Sequence, residues 1–295
     1  MNSTLRLAVA TLVVGVVVLA LKFVAYYLTG SVGLYSDAME GLVNVGSAIA
    51  IIVAVWLAAK PADANHPFGH TKAEYFSAVA EGVLIIVAAA SILRQAYAGL
   101  IDPPAIEEPT LGLAINLGAT LINGVWATVL IVGGRRLRSP ALVADGRHIV
   151  TDVVTSVGVL VGVILAVVTG VAVIDPIVAA LVALNVLWAG WRLVRESVGG
   201  LMDEAASPDQ VERIRAIIST NAEGAIEAHD LRTRHAGRLV FVEFHLVVAG
   251  SMPVSEAHGI CDRIERAIKT EAPDTRITIH VEPEEKAKHA GIVVV

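Results

Sequence analysis

Six apolar stretches, each long enough to cross a bilayer, fill the first two thirds of this chain. They run approximately over Leu5–Leu28, Val32–Ala59, Ala73–Leu100, Leu111–Val132, Leu142–Thr169 and Ile174–Val198. A spanning helix takes about 20 predominantly apolar residues, and a helix satisfies its own backbone groups where no water can. Residues 1–203 are therefore predicted to form a membrane α-helical bundle of six transmembrane helices. Breakers at Gly30, Pro61, Pro103-Pro104, Pro140 and Asp175-Pro176 keep the connections short. The first stretch does not read as a cleaved signal peptide, because it runs too long and lacks a small-residue cleavage site before a polar mature start.

Charge divides the chain in two. Residues 1–200 carry 23 charged side chains and residues 201–295 carry 27, the mark of a membrane domain followed by a soluble tail. Lys60 and Lys72 follow the second span, Arg135, Arg136 and Arg138 the fourth, and Arg192 and Arg195 the sixth. The opposite connections carry Asp102, Glu107, Glu108 and Asp175. The positive-inside rule then predicts an inner- or plasma-membrane protein with both termini and the tail in the cytoplasm. The net charge of −6 lies mostly in the tail, and no basic patch with interleaved aromatics suggests nucleic acid. The single Cys261 excludes an intrachain disulfide framework and a multi-cysteine metal site.

The tail opens with Ser207-Pro208-Asp209-Gln210, an N-cap, a proline at the first helical position and a capping-box glutamine. A periodic run over Val211–Ile218 follows, then strand-like runs over Ala228–Arg234 and Leu239–Val248 with a turn near Gly237. A helical pattern over Val254–Lys269 precedes a third alternating run, Arg276–Glu282. The order αββαβ predicts a small α+β domain over residues 204–285 with its helices on one face of a sheet. Residues 286–295 read as a loose C-terminal end.

Polar residues inside the spans are where chemistry is expected, because an ionisable group in hydrocarbon costs several kcal/mol on most scales, at least ~2.5. Span two reads Asp37-x-x-Glu40-x-x-x-Asn44 and span five Asp145-x-x-His148-x-x-x-Asp152. Offsets of three and four place each triplet on one helical face. If the faces meet, Glu40, Asn44, His148 and Asp152 supply four oxygen and nitrogen ligands to one divalent cation; the bland alternative is interhelical hydrogen bonding that glues the bundle. Asp37 and Asp145, one turn earlier, line a water path or hydrogen-bond the ligands. Glu81 reads as a structural partner.

Two further groups stand outside the spans. Asp63, His66 and His70 lie within eight residues bent by Pro67 and Gly69, either a chelating loop or a polar turn. In the tail, His229, Asp230, His235, His245, His258, His280 and Glu282 fall on different elements, so only folding can gather them; scattered imidazoles are otherwise surface or satisfied core residues. Lys72 and Asp203 can pair near the membrane face, or each be solvated.

Three segments resemble the cation diffusion facilitator family: Gly30-Ser31-Val32-Gly33-Leu34-Tyr35-Ser36-Asp37-Ala38, the loop Asn65-His66-Pro67-Phe68-Gly69-His70-Thr71-Lys72-Ala73-Glu74, and Asp145-x-x-His148-x-x-x-Asp152. Ala228-His229-Asp230-Leu231-Arg232-Thr233-Arg234 is similar to its ferredoxin-like cytoplasmic domain. The resemblance covers roughly residues 5–285. It implies a homodimeric exporter of divalent transition metals (Zn, Mn, Fe or Co) driven by proton antiport, working by alternating access, with no organic cofactor. The metal is the substrate, and a structural or regulatory ion in the tail is also implied. The transport site would be Glu40, Asn44, His148 and Asp152, and the loop site Asp63, His66 and His70. The tail site would draw on His229, His245, His280 and Glu282, with His258 close by. One departure stands out: zinc-transporting members usually carry His or Asp where this chain has Glu40, and Asp where it has Asn44. One nitrogen and three oxygen donors favour harder ions than an imidazole-rich set does. A divalent cation channel would need rings of like residues around an axis, and an intramembrane metalloenzyme a His-Glu-x-x-His motif or a nucleophile with its base, neither of which is evident.

Overall fold

The computed structural model describes residues 3–136, 140–289 and 291–294; Arg138 lies outside them. Six long helices come first: α1 (Ser3–Thr29), α2 (Val32–Ala58), α3 (Ala73–Ile101), α4 (Pro109–Arg136), α5 (Pro140–Thr169) and α6 (Ile174–Leu201). All six contain stretches long and apolar enough to cross a membrane. Their outer faces carry Val125, Val154, Leu181 and Trp188 in the open, an apolar surface far larger than a soluble monomer shows. The chain divides into two compact units, Met1–Val53 with Ser77–Val194, and Ala54–Phe76 with Arg195–Val295.

In the first unit α4 packs against both α1 and α5. Helices α3 and α6 approach through glycine: a Cβ on Gly82 would stand 3.1 Å from the Gly190 carbonyl and 2.6 Å from a Val194 methyl. Small residues at such crossings let backbones close up where lipid gives no hydrophobic drive. The start of α2 is fixed from another helix. The Asp175 carboxylate, in the first turn of α6, accepts from the Ser31 hydroxyl at 2.8 Å and from the amides of Val32 and Gly33 at 2.7 and 3.0 Å. A helix N-terminus leaves its first amides without partners and carries positive charge, so a buried carboxylate from α6 both caps α2 and sets its position. Sequence alone gave Asp175 only as a charge in a connection.

The second unit holds α7 (Pro208–Asn221), β1 (Glu227–Ala236), β2 (Leu239–Val248), α8 (Val254–Glu271), β3 (Thr275–Pro283) and β4 (Ile292–Val293). The expected capping box is present, with Ser207 and Gln210 each bonding the other's backbone. The sheet runs β3-β2-β1-β4, with β1 antiparallel to β2 and β3 parallel to β2. Val242, Phe244 and Leu246 of β2 point into a core with Ile214, Ile218, Ile260, Ile264 and Ile268 of the helices. The period of two therefore leaves Phe241, Glu243 and His245 on the opposite face. This is the predicted α+β domain with one difference. The C-terminal end, expected to be loose, returns to the sheet: Ile292 and Val293 pair with Ala228 and Glu227 of β1. An edge strand presents unpaired amides and carbonyls to any passing segment. The Glu227 carboxylate accepts the amides of Lys288 at 2.6 Å and His289 at 3.0 Å, which steers the chain onto that edge.

Candidate metal centres

The triplets on α2 and α5 face each other. Asn44 donates its amide to Asp152 Oδ2 at 2.7 Å, and its Oδ1 lies 3.4 Å from His148 Nε2. His148 Nε2 is 4.0 Å from the same Asp152 oxygen. Glu40 joins through Thr155, whose hydroxyl stands 3.1 Å from Glu40 Oε2 and 2.9 Å from the Asp152 carbonyl. Asn44, His148 and Asp152 thus share one cluster, with Glu40 one turn away along α2. Beside it opens a cavity of about 140 Å³ lined also by Asp145, Glu81, Asn123 and Lys22. Asp145 and Glu81 both sit on the wall of this cavity.

Asp37 takes a different part from the one expected. Its Oδ1 lies 2.7 Å from Lys22 Nζ and 2.5 Å from the Ser156 hydroxyl, and its Oδ2 accepts from Asn116 at 2.7 Å. Lys22 Nζ also reaches Ser156 Oγ at 3.0 Å. Lys22, Asp37, Asn116 and Ser156 are all fully buried. Such a pair persists in an apolar bundle because further hydrogen bonds from Ser156 and Asn116 support it. The network stands one turn from the ligand cluster on both helices: Asp37 precedes Glu40 by three residues, and Ser156 follows Asp152 by four. Sequence reasoning missed Lys22, Asn116 and Ser156. The available signal was a lone lysine within span one.

In the second unit the loop after α2 gathers Asp63, His66 and His70. Asp63 Oδ1 accepts the amides of Asn65 and His66 at 3.0 and 2.7 Å, a turn that asparagine and aspartate favour. Those amides, that of His66 foremost, hold the Asp63 carboxyl below the usual carboxylate range. His66 Nδ1 lies 3.2 Å from Oδ1, His70 Nε2 3.5 Å from Oδ2, and the two rings are 4.4 Å apart. His70 Nδ1 is buried without a hydrogen-bond partner. Lys72 Nζ meets Asp203 Oδ1 at 2.8 Å, and Arg234 Nη1 reaches the same oxygen at 3.1 Å.

On the open face of the sheet three imidazoles stand in a row. His229 of β1 is in register with His245 of β2, and His245 with His280 of β3; successive ring centroids are 5.3 and 5.0 Å apart. Glu282, two residues beyond His280, reaches all three: 3.2 Å to His229 Nε2, 3.3 Å to His245 Nδ1 and 3.7 Å to His280 Nε2. Glu227 orients His229 through Nδ1 at 3.0 Å, leaving Nε2 buried with no hydrogen bond of its own. A β-bulge follows His229, with Asp230 at φ +53°. A bulge re-aims side chains, and here it brings a ligand atom of Asp230 within 4.8 Å of those of His229 and His245. Asp230 itself is held below the usual carboxylate range by the Lys288 ammonium. His258 lies on α8, beside Asp262 at 3.6 Å, and lines one cavity with Glu282.

Six spanning helices with a ligand-bearing cavity, followed by a small α+β domain, define an integral membrane transporter. Residues 8–202 match the model of the cation efflux transmembrane domain, and residues 206–284 that of the cation efflux protein cytoplasmic domain. The chain belongs to the cation diffusion facilitator family and is a cation efflux transporter. It is 44% identical to an uncharacterized transporter of Synechocystis sp., covering 95% of this chain and 91% of that one. It is 31% identical to the cation-efflux pump FieF of Escherichia fergusonii, covering 94% and 92%. A solved zinc form of the putative zinc transporter CzrB is 53% identical over 29% of this chain and 98% of its own, with a TM-score of 0.28.

Proposed function

We propose that the protein exports divalent transition-metal cations in exchange for protons, by alternating access, as a homodimer with both termini in the cytoplasm. The observation that carries this is the convergence of Asn44, His148 and Asp152 beside a cavity within a spanning bundle, with Glu40 linked through Thr155. Carboxylates bind a cation when ionised and imidazole when neutral, so metal entry displaces protons. Reloading the same groups with protons on the far side expels the metal, and one site then serves both ions. Asn44 contributes its carbonyl oxygen.

The donor set suits Mn²⁺ or Fe²⁺ beside Zn²⁺ and Co²⁺, since oxygen ligands favour harder ions. In the cytoplasmic domain the row of His229, His245 and His280 with Glu282 would hold a regulatory cation, and Asp63, His66 and His70 a second. The buried Nε2 of His229, which makes no hydrogen bond among the described residues and faces Glu282 at 3.2 Å, fits that role, because buried polar atoms otherwise find partners. Bound cations would offset the charge of an acidic tail facing its own copy.

Purified protein in sealed vesicles with a pH dye inside provides the test. A gradient of Mn²⁺, Fe²⁺, Co²⁺ or Zn²⁺ should drive proton counterflow. Metal flux with no proton movement would reject antiport and leave a channel.

A further inference from the structure

We propose that the second unit carries a binding site for a phosphate-bearing anion where α2 leaves the membrane. The cavity between the α2–α3 loop and the β1–β2 hairpin measures about 640 Å³, within the roughly 300–1,000 Å³ of small-molecule sites. Lys60, Arg238, Lys269 and Arg276 line it against a single carboxylate, Glu243. This is the reverse of its surroundings: residues 201–295 carry 11 basic and 16 acidic side chains. Four cations converging on one concavity in an acidic domain repel each other unless an anion joins them.

The cations differ in how far they are already engaged. Lys269 pairs with Glu265 at 2.9 Å, and Lys60 stands over the Trp56 ring at 4.1 Å. Arg238 and Arg276 have no ion-pair partner among the described residues, and both are exposed. A guanidinium offers a planar fork matched to two phosphate oxygens, so these two are the anchoring groups. The hairpin is seated by Gly237, at φ +61°, where a Cβ would come within 2.7 Å of the Thr71 carbonyl; Phe68 and Phe241 meet edge to face at 5.9 Å. The cavity therefore has a built wall on the loop side.

Ala58 and Ala59, where α2 ends, line the cavity beside Lys60. Basic residues close to the end of a spanning helix attract anionic lipids. The shared chemistry is a phosphate group, carried by an anionic phospholipid or free in solution.

Calorimetric titration of the full-length protein in detergent separates these sources. Short-chain phosphatidylglycerol, short-chain phosphatidylcholine and inorganic phosphate are the probes. The Arg238→Gln/Arg276→Gln variant should lose at least tenfold in affinity for phosphatidylglycerol or for inorganic phosphate, whichever the wild type binds more tightly, and that preference identifies the source. Arg266→Gln, which alters an exposed arginine outside the cavity, should bind as wild type does. Four results would overturn the site: no binding of either anion by wild type, equal binding by the double variant, phosphatidylcholine bound as tightly as the preferred anion, or an equal loss in Arg266→Gln. Lys60→Gln/Lys269→Gln should show a smaller loss, and no loss there together with none in the arginine variant rejects the cavity altogether.

Discussion

Two histidine–carboxylate clusters in this molecule are built from similar side chains on opposite architectures. The one between α2 and α5 depends on helical offsets: four residues separate Glu40 from Asn44 and four separate His148 from Asp152. The one on the sheet depends on register: His229, His245 and His280 lie 16 and 35 residues apart in sequence yet stand side by side because their strands pair. Each cluster runs from a buried member to an exposed one: Asp152 at 6% to His148 at 59% between the helices, and His229 at 4% to His280 at 66% on the sheet. What separates them is the surroundings. The first sits among apolar helices, one turn from a buried ion pair, and an ionisable group there carries function by default because its desolvation must be offset. The second is anchored at His229 by Glu227 and opens to solvent at His280.

The sharpest way to break this comparison is to remove a ligand from each. Asp152→Ala or His148→Ala should reduce metal-driven proton counterflow below detection while the protein still inserts and runs as the same oligomer. Removing a direct ligand exceeds the roughly 10–100-fold that losing a supporting partner costs. Normal flux in either variant would show that the cavity is not the transport site.

The ion pairs allow a matched test of environment. Lys22–Asp37 and Lys288–Asp230 have nearly equal separations, 2.7 and 2.6 Å. Lys22→Met strands a buried carboxylate and should destabilise the membrane unit by about 3–5 kcal/mol. Lys288→Met breaks an exposed, solvent-screened pair and should leave the unfolding midpoint nearly unchanged. Thermal unfolding of the two variants in detergent checks this; equal shifts would mean that Lys22 is hydrated in place.

Much of this arrangement is legible in sequence, for physical reasons that also mark where it stops. Apolar length reveals the spans, and period-two alternation reveals β1, β2 and β3. The offsets within Asp37–Asn44 and Asp145–Asp152 reveal two faces, but not that Asp37 turns to Lys22 and Asn116 rather than to the ligands. That choice depends on which helices are neighbours. Thr155 and Ser156 are ordinary helical residues until α2 lies against α5. Strand register was equally hidden: the histidines were visible, but not that Glu282 reaches three of them or that a bulge admits Asp230. His258 was visible by residue type, but not that folding puts it on the same cavity as Glu282.

Selectivity sharpens the contrast within the bundle. Glu40→His with Asn44→Asp supplies one more imidazole and one more carboxylate, and the Mn²⁺ to Zn²⁺ flux ratio should fall several-fold, following ligand softness. An unchanged ratio would place selection outside these four side chains. The corresponding double change on the sheet, His245→Ala with His280→Ala, should act on binding instead of flux. Residues 204–295 have their own hydrophobic core, so calorimetry on that segment is direct. At micromolar metal the variant should bind more weakly than wild type. In the full protein it should raise the metal concentration needed for full transport without abolishing it. Equal binding would leave the row a plain structural feature.

The smallest expected effect concerns Asp203, which belongs to neither cluster. Its carboxylate accepts from Lys72 and Arg234, and these partners, Lys72 first, hold it below the usual carboxylate range. A carboxyl depressed in the folded state contributes stability above its unfolded pKa, about 3.9. That contribution is lost as pH falls through the lower folded value. The tie should therefore be constant between pH 5 and 8. Asp203 is about half exposed, so solvent screens it and its worth stays within about 1 kcal/mol. Asp203→Asn removes the charge at every pH. The difference in melting temperature between wild type and this variant should be small and flat from pH 8 to 5, shrink once pH falls below about 4, and vanish only below the lower folded value as wild type protonates. A difference that grows as pH falls would require Asp203 to be raised rather than lowered, and would reject the pairing with Lys72 and Arg234 as its cause.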